Sequence, residues 1–231
     1  MIAFLQRNKI FIFIVLVTCI LCFGGIVLFS NSGNNPVTPV IKIDRSILVP
    51  QGANTTSGII NGQYLPATPS ATISIVEFGD YECPACGTYN PIVTNVLTTF
   101  ADKVNFTFRD YPLSQHSKAD ISSYAADAAG LQGKFWQMHD KLYANQNDWV
   151  NASDTQAVFD GYAKELGLDV GKFDSDMNGS TVKDIVQKGV DDGNTVGLTE
   201  TPTFYLNGQK INLSGASDQL LNAVQSALIA K

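Results

Sequence analysis

Basic side chains, histidines and cysteines are all scarce in this chain. Fifteen Lys+Arg stand against 21 Asp+Glu in 231 residues, a formal charge of -6, and no basic cluster marks a surface that could track a phosphate backbone. Nucleic acid is thereby excluded as a partner class. The only histidines are His116 and His139, and of four cysteines two, Cys19 and Cys22, fall inside a long apolar run. That leaves one cysteine pair, too few with two histidines to make a structural zinc site the natural reading, so no metal is expected.

The apolar run is Ile10 to Phe29, uncharged and about the 20 residues that cross a bilayer as a helix. Arg7 and Lys9 precede it and the next basic residue is Lys42, so the positive-inside rule places residues 1–9 in the cytoplasm and exports everything after Phe29. The run exceeds an ordinary signal-peptide core and lacks a small-x-small cleavage site, and neither Cys19 nor Cys22 follows the small residue a lipoprotein signal requires. A single-pass anchor over residues 10–29 is the expectation, with Cys19 and Cys22 as apolar fillers within it. Ser30 to Asn35 with Pro36 and Pro39 opens a breaker-rich tether, expected over residues 30–62. Patches between Ile41 and Pro69 allow a short strand or hairpin there.

The remaining cysteines stand in Glu77-Phe78-Gly79-Asp80-Tyr81-Glu82-Cys83-Pro84-Ala85-Cys86, between a strand-like and a helix-like run. Residues three apart on a helix share a face at about 5–6 Å, so Cys83 and Cys86 can open and close a local disulfide. At a helix N-terminus Cys83 would meet unsatisfied N–H groups and the positive end of the dipole, which favour the thiolate. A structural staple is a poor reading, because so short a loop constrains little of the unfolded chain.

Around this motif, Thr72 to Phe78 reads as a strand covered on both faces, with Glu77 its one charge. Pro91 is expected to bend or divide the following helix, and Val104, Phe106 and Phe108 alternate as a second strand. Lys118 to Gly189 is helical in spacing. Its aromatic residues Phe135, Trp136, Tyr143 and Trp149 read as core, and His139 as a hydrogen-bonded packing residue. Asn207-Gly208 signals a hairpin between Thr203–Leu206 and Lys210–Leu213, and Ser217 is placed to cap a last helix. The order is β-α-β, a helical block, then β-β-α.

Three segments in this order, VEFGDYECPAC, FRDYPL with QGKFWQMHDKLYANQ, and GLTETPTFYLNG, resemble the DsbA-like thiol–disulfide oxidoreductases of the thioredoxin superfamily. The resemblance implies an α/β thioredoxin-like fold over residues 63–231, with a helical insertion at about 114–190. It implies Cys83 as the solvent-accessible nucleophile and Cys86 as the buried resolving cysteine, with Pro84 and Ala85 completing the motif. Glu77 matches the buried acid beneath the dithiol, where a raised pKa would let it move the proton of Cys86; pairing with a lysine is the structural alternative. Pro202 matches the cis-proline facing the dithiol, leaving the backbone of Thr201 to pair with an extended substrate. Ala85 supplies no imidazole, so a milder oxidant than relatives with His there is expected.

The resemblance further implies disulfide donation to reduced exported polypeptides, recharging by a quinone-linked membrane oxidoreductase, a monomeric state, and no cofactor beyond the dithiol. A reductase or isomerase using the same residues is the nearest rival. A non-enzymatic anchored module that captures a metal or a partner is a rival of another class.

Overall fold

The computed structural model describes residues 54–213 and 218–230. Strands β1 (Thr55–Ile60) and β2 (Gln63–Pro66) come first, then β3 (Ile73–Gly79), helix α1 (Pro84–Thr99) and β4 (Val104–Asp110). Six helices follow among the described residues: α2 (Ala119–Gly130), α3 (Phe135–Ala144), α4 (Gln146–Val150), α5 (Thr155–Glu165), α6 (Val170–Asn178) and α7 (Ser180–Thr195). Strands β5 (Thr203–Leu206) and β6 (Gln209–Ile211) and helix α8 (Gln219–Ile229) are the last elements among the described residues.

The strands form one mixed sheet in the order β2-β1-β4-β3-β5-β6. Central β3 runs parallel to β4 and antiparallel to β5, with Glu77 opposite Phe108 on one side and Phe204 on the other. Alternation along β3 assigns its two faces. Ile73 and Ile75 join the main core with Cys86 and α1, whereas Val76 and Phe78 pack with Tyr111, Val196, Leu198 and Tyr205. By the same period of two, Glu77 shares the face of Ile73 and Ile75. The sequence therefore places a carboxyl under the helix that carries the dithiol.

Asn207 and Gly208 both adopt positive φ, 50° and 79°, as a two-residue hairpin demands. Helix α7 approaches β4 so closely that a Cβ on Gly189 would lie 2.3 Å from the carbonyl oxygen of Asp110. The helical block thus reaches Thr195 and closes against the sheet, beyond the boundary near residue 190 expected from the sequence. Phe135, Trp136, Tyr143 and Trp149 are all buried.

Three sequence expectations need correction. The tether does not extend to residue 62, because β1 pairs with β4 through Thr55–Thr107 and Thr56–Phe106 and belongs to the sheet. Of the two effects expected of Pro91, to bend or to divide its helix, division does not occur: α1 is continuous from Pro84 to Thr99. The final strand is Gln209–Ile211 and not Lys210–Leu213. The expected anchor at 10–29 with Cys19 and Cys22, the tether up to residue 53 and the Ser217 cap lie outside the described residues. No helix among the described residues is long and apolar enough to cross a membrane.

Candidate active site

The sheet and α1 meet at Cys83, the N-cap residue of α1, with Pro84 in the first turn where its missing N–H costs nothing. Both cysteines are free thiols. Cys83 is 6 % exposed and Cys86 0 %, so the nucleophile is shallow and not open to solvent as the resemblance implied. The reason is its seat against the loop before β5: the Cys83 thiol donates to the carbonyl oxygen of Thr201 at 3.4 Å. The Thr201–Pro202 peptide bond is cis.

The two thiols are pushed in opposite directions. Cys83 is lowered to about 5, first by the hydrogen bond from Cys86, then against the cost of burial by Thr201 and by the backbone N–H groups of Cys86 and Ala85. As a thiol Cys83 makes no side-chain capping bond, so these helix-end donors act on its thiolate. The Thr201 hydroxyl is buried without another partner and is placed to serve the same anion. Cys86 is raised well above the usual thiol range by burial, by its hydrogen bond to Cys83 and by the charges of Glu77 and Cys83.

Glu77 is buried, and its pKa is raised to about 8 by desolvation and then by the charge of Cys83. Among the described residues no lysine or arginine forms an ion pair with it. Near neutrality it holds its proton beneath the dithiol, as a proton carrier requires. The structure brings Cys83, Cys86, Glu77, Thr201, Pro202, Pro84 and Ala85 into one neighbourhood. A groove of about 240 Å³ runs beside the cis-proline, lined by Tyr89, Thr201, Pro202, Phe204 and Lys210 among others.

Several residues that the sequence did not single out hold this site. Asp80, fully buried, accepts the N–H of Glu82 at 2.8 Å in an Asx turn and the N–H of Leu113 at 3.0 Å. Its carbonyl accepts the N–H of Cys83 at 3.1 Å. Gln146 of α4 donates to the carbonyls of Tyr81 and Cys83 at 2.6 and 2.9 Å, so the helical block fixes the motif loop. An Asp three residues before the N-cap of a helix is a turn signal that could have flagged Asp80; Gln146, 63 residues away from Cys83, had no such signal. His139 packs as expected, buried between Tyr81 (3.0 Å) and Asn90 (3.2 Å), and burial pushes it down to about 3. Among the described residues no group of three or more His, Cys, Asp or Glu could hold a metal ion.

A family model described as thioredoxin matches residues 67–226. Among solved structures, a thioredoxin-like oxidoreductase from Silicibacter pomeroyi superposes with a TM-score of 0.58 at 25 % identity, covering 71 % of this chain and 90 % of that one. BdbD from Bacillus subtilis, in its oxidised form, gives 0.63 at 24 % identity, covering 78 % and 100 %. Among curated sequences, the Na(+)/H(+) antiporter NhaA 1 of Salinispora arenicola is 36 % identical over 158 residues, which is 68 % of this chain and 23 % of the antiporter. The chain spans about a quarter of the length of the curated relatives it matches.

Proposed function

From its membership of the thioredoxin family, we propose that it is a DsbA-like, membrane-anchored, extracytoplasmic thiol–disulfide oxidoreductase that introduces disulfides into exported polypeptides. The observation that carries this reading is the seat of Cys83, at the N-cap of α1 and 3.4 Å from the carbonyl oxygen of Thr201 at the cis-proline, with Cys86 and Glu77 buried; it pushes Cys83 down to about 5 and Cys86 up. The split supports Cys83 as the sulfur that is attacked and later leaves as a thiolate. A substrate thiolate attacks Sγ of Cys83 in the disulfide form, the Cys83–Cys86 bond breaks, and Cys86 leaves as a thiol by taking a proton. Glu77, protonated below about pH 8, is the group beneath it to supply that proton. A second substrate thiolate then attacks the substrate sulfur of the mixed disulfide and expels Cys83. Because Cys83 is a stabilised thiolate, it leaves readily and the reduced form of the protein is favoured, which makes the disulfide form an oxidant.

The exchange needs no group beyond the dithiol. The electrons gained must be passed on, and a quinone-linked membrane oxidoreductase is the partner class this reading calls for. The anchor rests on residues 10–29 and their flanking charges, and it places the dithiol outside the cytoplasm, in the compartment where disulfides persist. An extended substrate segment would lie along the groove beside Pro202, and a monomer is expected.

The test is the reduction potential of the full chain in detergent, equilibrated in glutathione buffers with alkylation of free thiols. A value toward about -120 mV, the DsbA end of the scale, supports disulfide donation; a value near about -270 mV, that of thioredoxin, assigns the chain to reduction instead.

A further inference from the structure

Pro84 and Ala85 put no charge between the cysteines, but a titratable imidazole from another part of the chain is anchored on the residue that orders their turn. After β4 the backbone turns through Tyr111–Leu113 to His116, whose Nδ1 lies 2.6 Å from Oδ2 of Asp80. Asp80 is the residue that orders the turn into α1, through the N–H groups of Leu113 and Glu82 on its carboxyl and that of Cys83 on its carbonyl. Its side chain is fully buried while that of His116 is 20 % exposed. The imidazole can therefore exchange protons with solvent while its partner holds it in place.

We propose that His116, anchored on Asp80, is a positioning residue whose protonated imidazole favours the Cys83 thiolate, so that the redox equilibrium of the dithiol follows the protonation of His116. This rests on the oxidoreductase reading above. The balanced half-reaction shows where the charge matters: the disulfide takes two electrons and one proton and gives the Cys83 thiolate and the Cys86 thiol. The negative charge created on reduction is what His116 senses.

The groups facing the imidazole agree in sign. Partial burial opposes its protonation, but the hydrogen bond and charge of Asp80, with the charges of Cys83 and Glu82, outweigh this and raise its pKa. The nearest cation on its own segment, Lys118, is turned away: its Nζ donates to the carbonyls of Trp149, Val150 and Ala152, and its N–H donates to Glu82 at 2.5 Å. Tyr143 reaches the Asp80 carbonyl at 3.5 Å and carries no charge near neutrality, since burial raises it. Hydrogen bonds dominate at Cys83 itself, so the His116 effect is a modulation added to them.

Binding linkage is reciprocal. If protonated His116 favours the thiolate, the thiolate must raise the pKa of His116, and that pKa must fall when the disulfide forms. The chain has only two histidines, and His139, pushed down to about 3 by burial, is silent through neutrality and serves as the internal reference. The experiment is a pH titration of the histidine ring signals by NMR on the full chain in detergent micelles, in reduced and oxidised forms and in Cys83→Ser, which lacks the thiolate without forming the disulfide. The expected result is a single titrating histidine whose pKa is higher by about half a unit or more in the reduced protein than in the other two forms. Equal values in all three overturn the proposal. In parallel, His116→Gln should shift the glutathione equilibrium about three- to tenfold toward the disulfide below the His116 titration and converge with the parent above it; tenfold is about 30 mV. A shift of the same size at every pH would assign His116 a purely structural role and overturn the proposal. A chain that fails to oxidise substrate polypeptides but still shows the redox-linked histidine would refute the functional reading and leave this one standing.

Discussion

The thiol of Cys83 and the carbonyl oxygen of Thr201 lie 3.4 Å apart across 118 residues of chain. The contact ties the start of α1 to the loop that enters β5, so the helix that supplies the nucleophile and the loop that supplies the cis-proline form one surface. It also places the Thr201 hydroxyl, buried and with no other partner, where the charge of Cys83 appears.

Replacing Thr201 by Val keeps the shape and removes the hydroxyl. A hydrogen bond to a charged group contributes about 1.5–3 kcal/mol, so the pKa of Cys83 should rise by about one to two units and the disulfide should become harder to reduce. Thiolate absorbance near 240 nm during an acid titration of the reduced protein reads this directly. An unmoved titration would show that the backbone N–H groups of Ala85 and Cys86 suffice alone.

Glu77, raised to about 8 and facing no described cation, has the protonation needed to return a proton to Cys86 near neutral pH. Glu77→Gln should slow turnover of a dithiol peptide by about tenfold or more at pH 7, within the range general acid–base groups contribute. The parent should lose rate as pH passes about 8 while the variant shows no inflection there. Stopped-flow exchange from pH 6 to 9 checks both; parallel profiles would reduce Glu77 to a packing residue.

How much of this was legible in the sequence follows from what local pattern encodes. Strand β3, the C-x-x-C helix and the Asn207-Gly208 hairpin carry their own periodicity or turn chemistry, and the structure has each of them. The first hairpin turns on Asn61 and Gly62, both at positive φ (52° and 75°), the same dipeptide signal, and its strand β2 could have been read with confidence from it. Strand β1 could not. Thr55, Thr56 and Ser57 are polar yet buried, because Thr55 bonds Thr107 across the sheet at 3.1 Å and Thr56 bonds backbone carbonyls. Only the partner strand makes that sequence a strand. At the site, the dithiol was legible by its spacing and Glu77 and Pro202 by the family resemblance, whereas Gln146 and the Asp80–His116 pair depend on how the chain folds back.

The reduced protein should be more stable than the oxidised one at neutral pH. Cys83 is depressed to about 5 in the fold against an ordinary thiol value of about 8.5 in the unfolded chain. A depressed acid contributes stability that is fully present above its unfolded pKa and lost as pH falls through the folded one. The closed Cys83–Cys86 loop offsets little of this through the unfolded state. Thermal unfolding at pH 7 should give a Tm higher for the reduced form by several degrees, at about 2–4 °C per kcal/mol for a domain of this size, and the gap should shrink toward pH 4. A gap of the opposite sign would point to a reducing dithiol.

Asp110 and Asp127 form a buried acidic pair, at the end of β4 and on α2, where Oδ1 of Asp110 and Oδ2 of Asp127 have no hydrogen-bond partner among the described residues. Burial pushes Asp110 well up, with the charge of Asp127 adding to it, and burial raises Asp127 to about 7 against the hydrogen bond from Asn54. Above the ordinary aspartate range the folded pair holds protons that the unfolded chain has released, so stability falls as pH rises through about 7. Asp127→Asn removes this linkage and should stabilise the fold more at pH 8 than at pH 5, by about 1 kcal/mol or more. Urea unfolding at the two pH values tests this. Equal destabilisation at both would mean that Asp127 matters as the acceptor for Asn54, at 3.0 Å, and not as a charge.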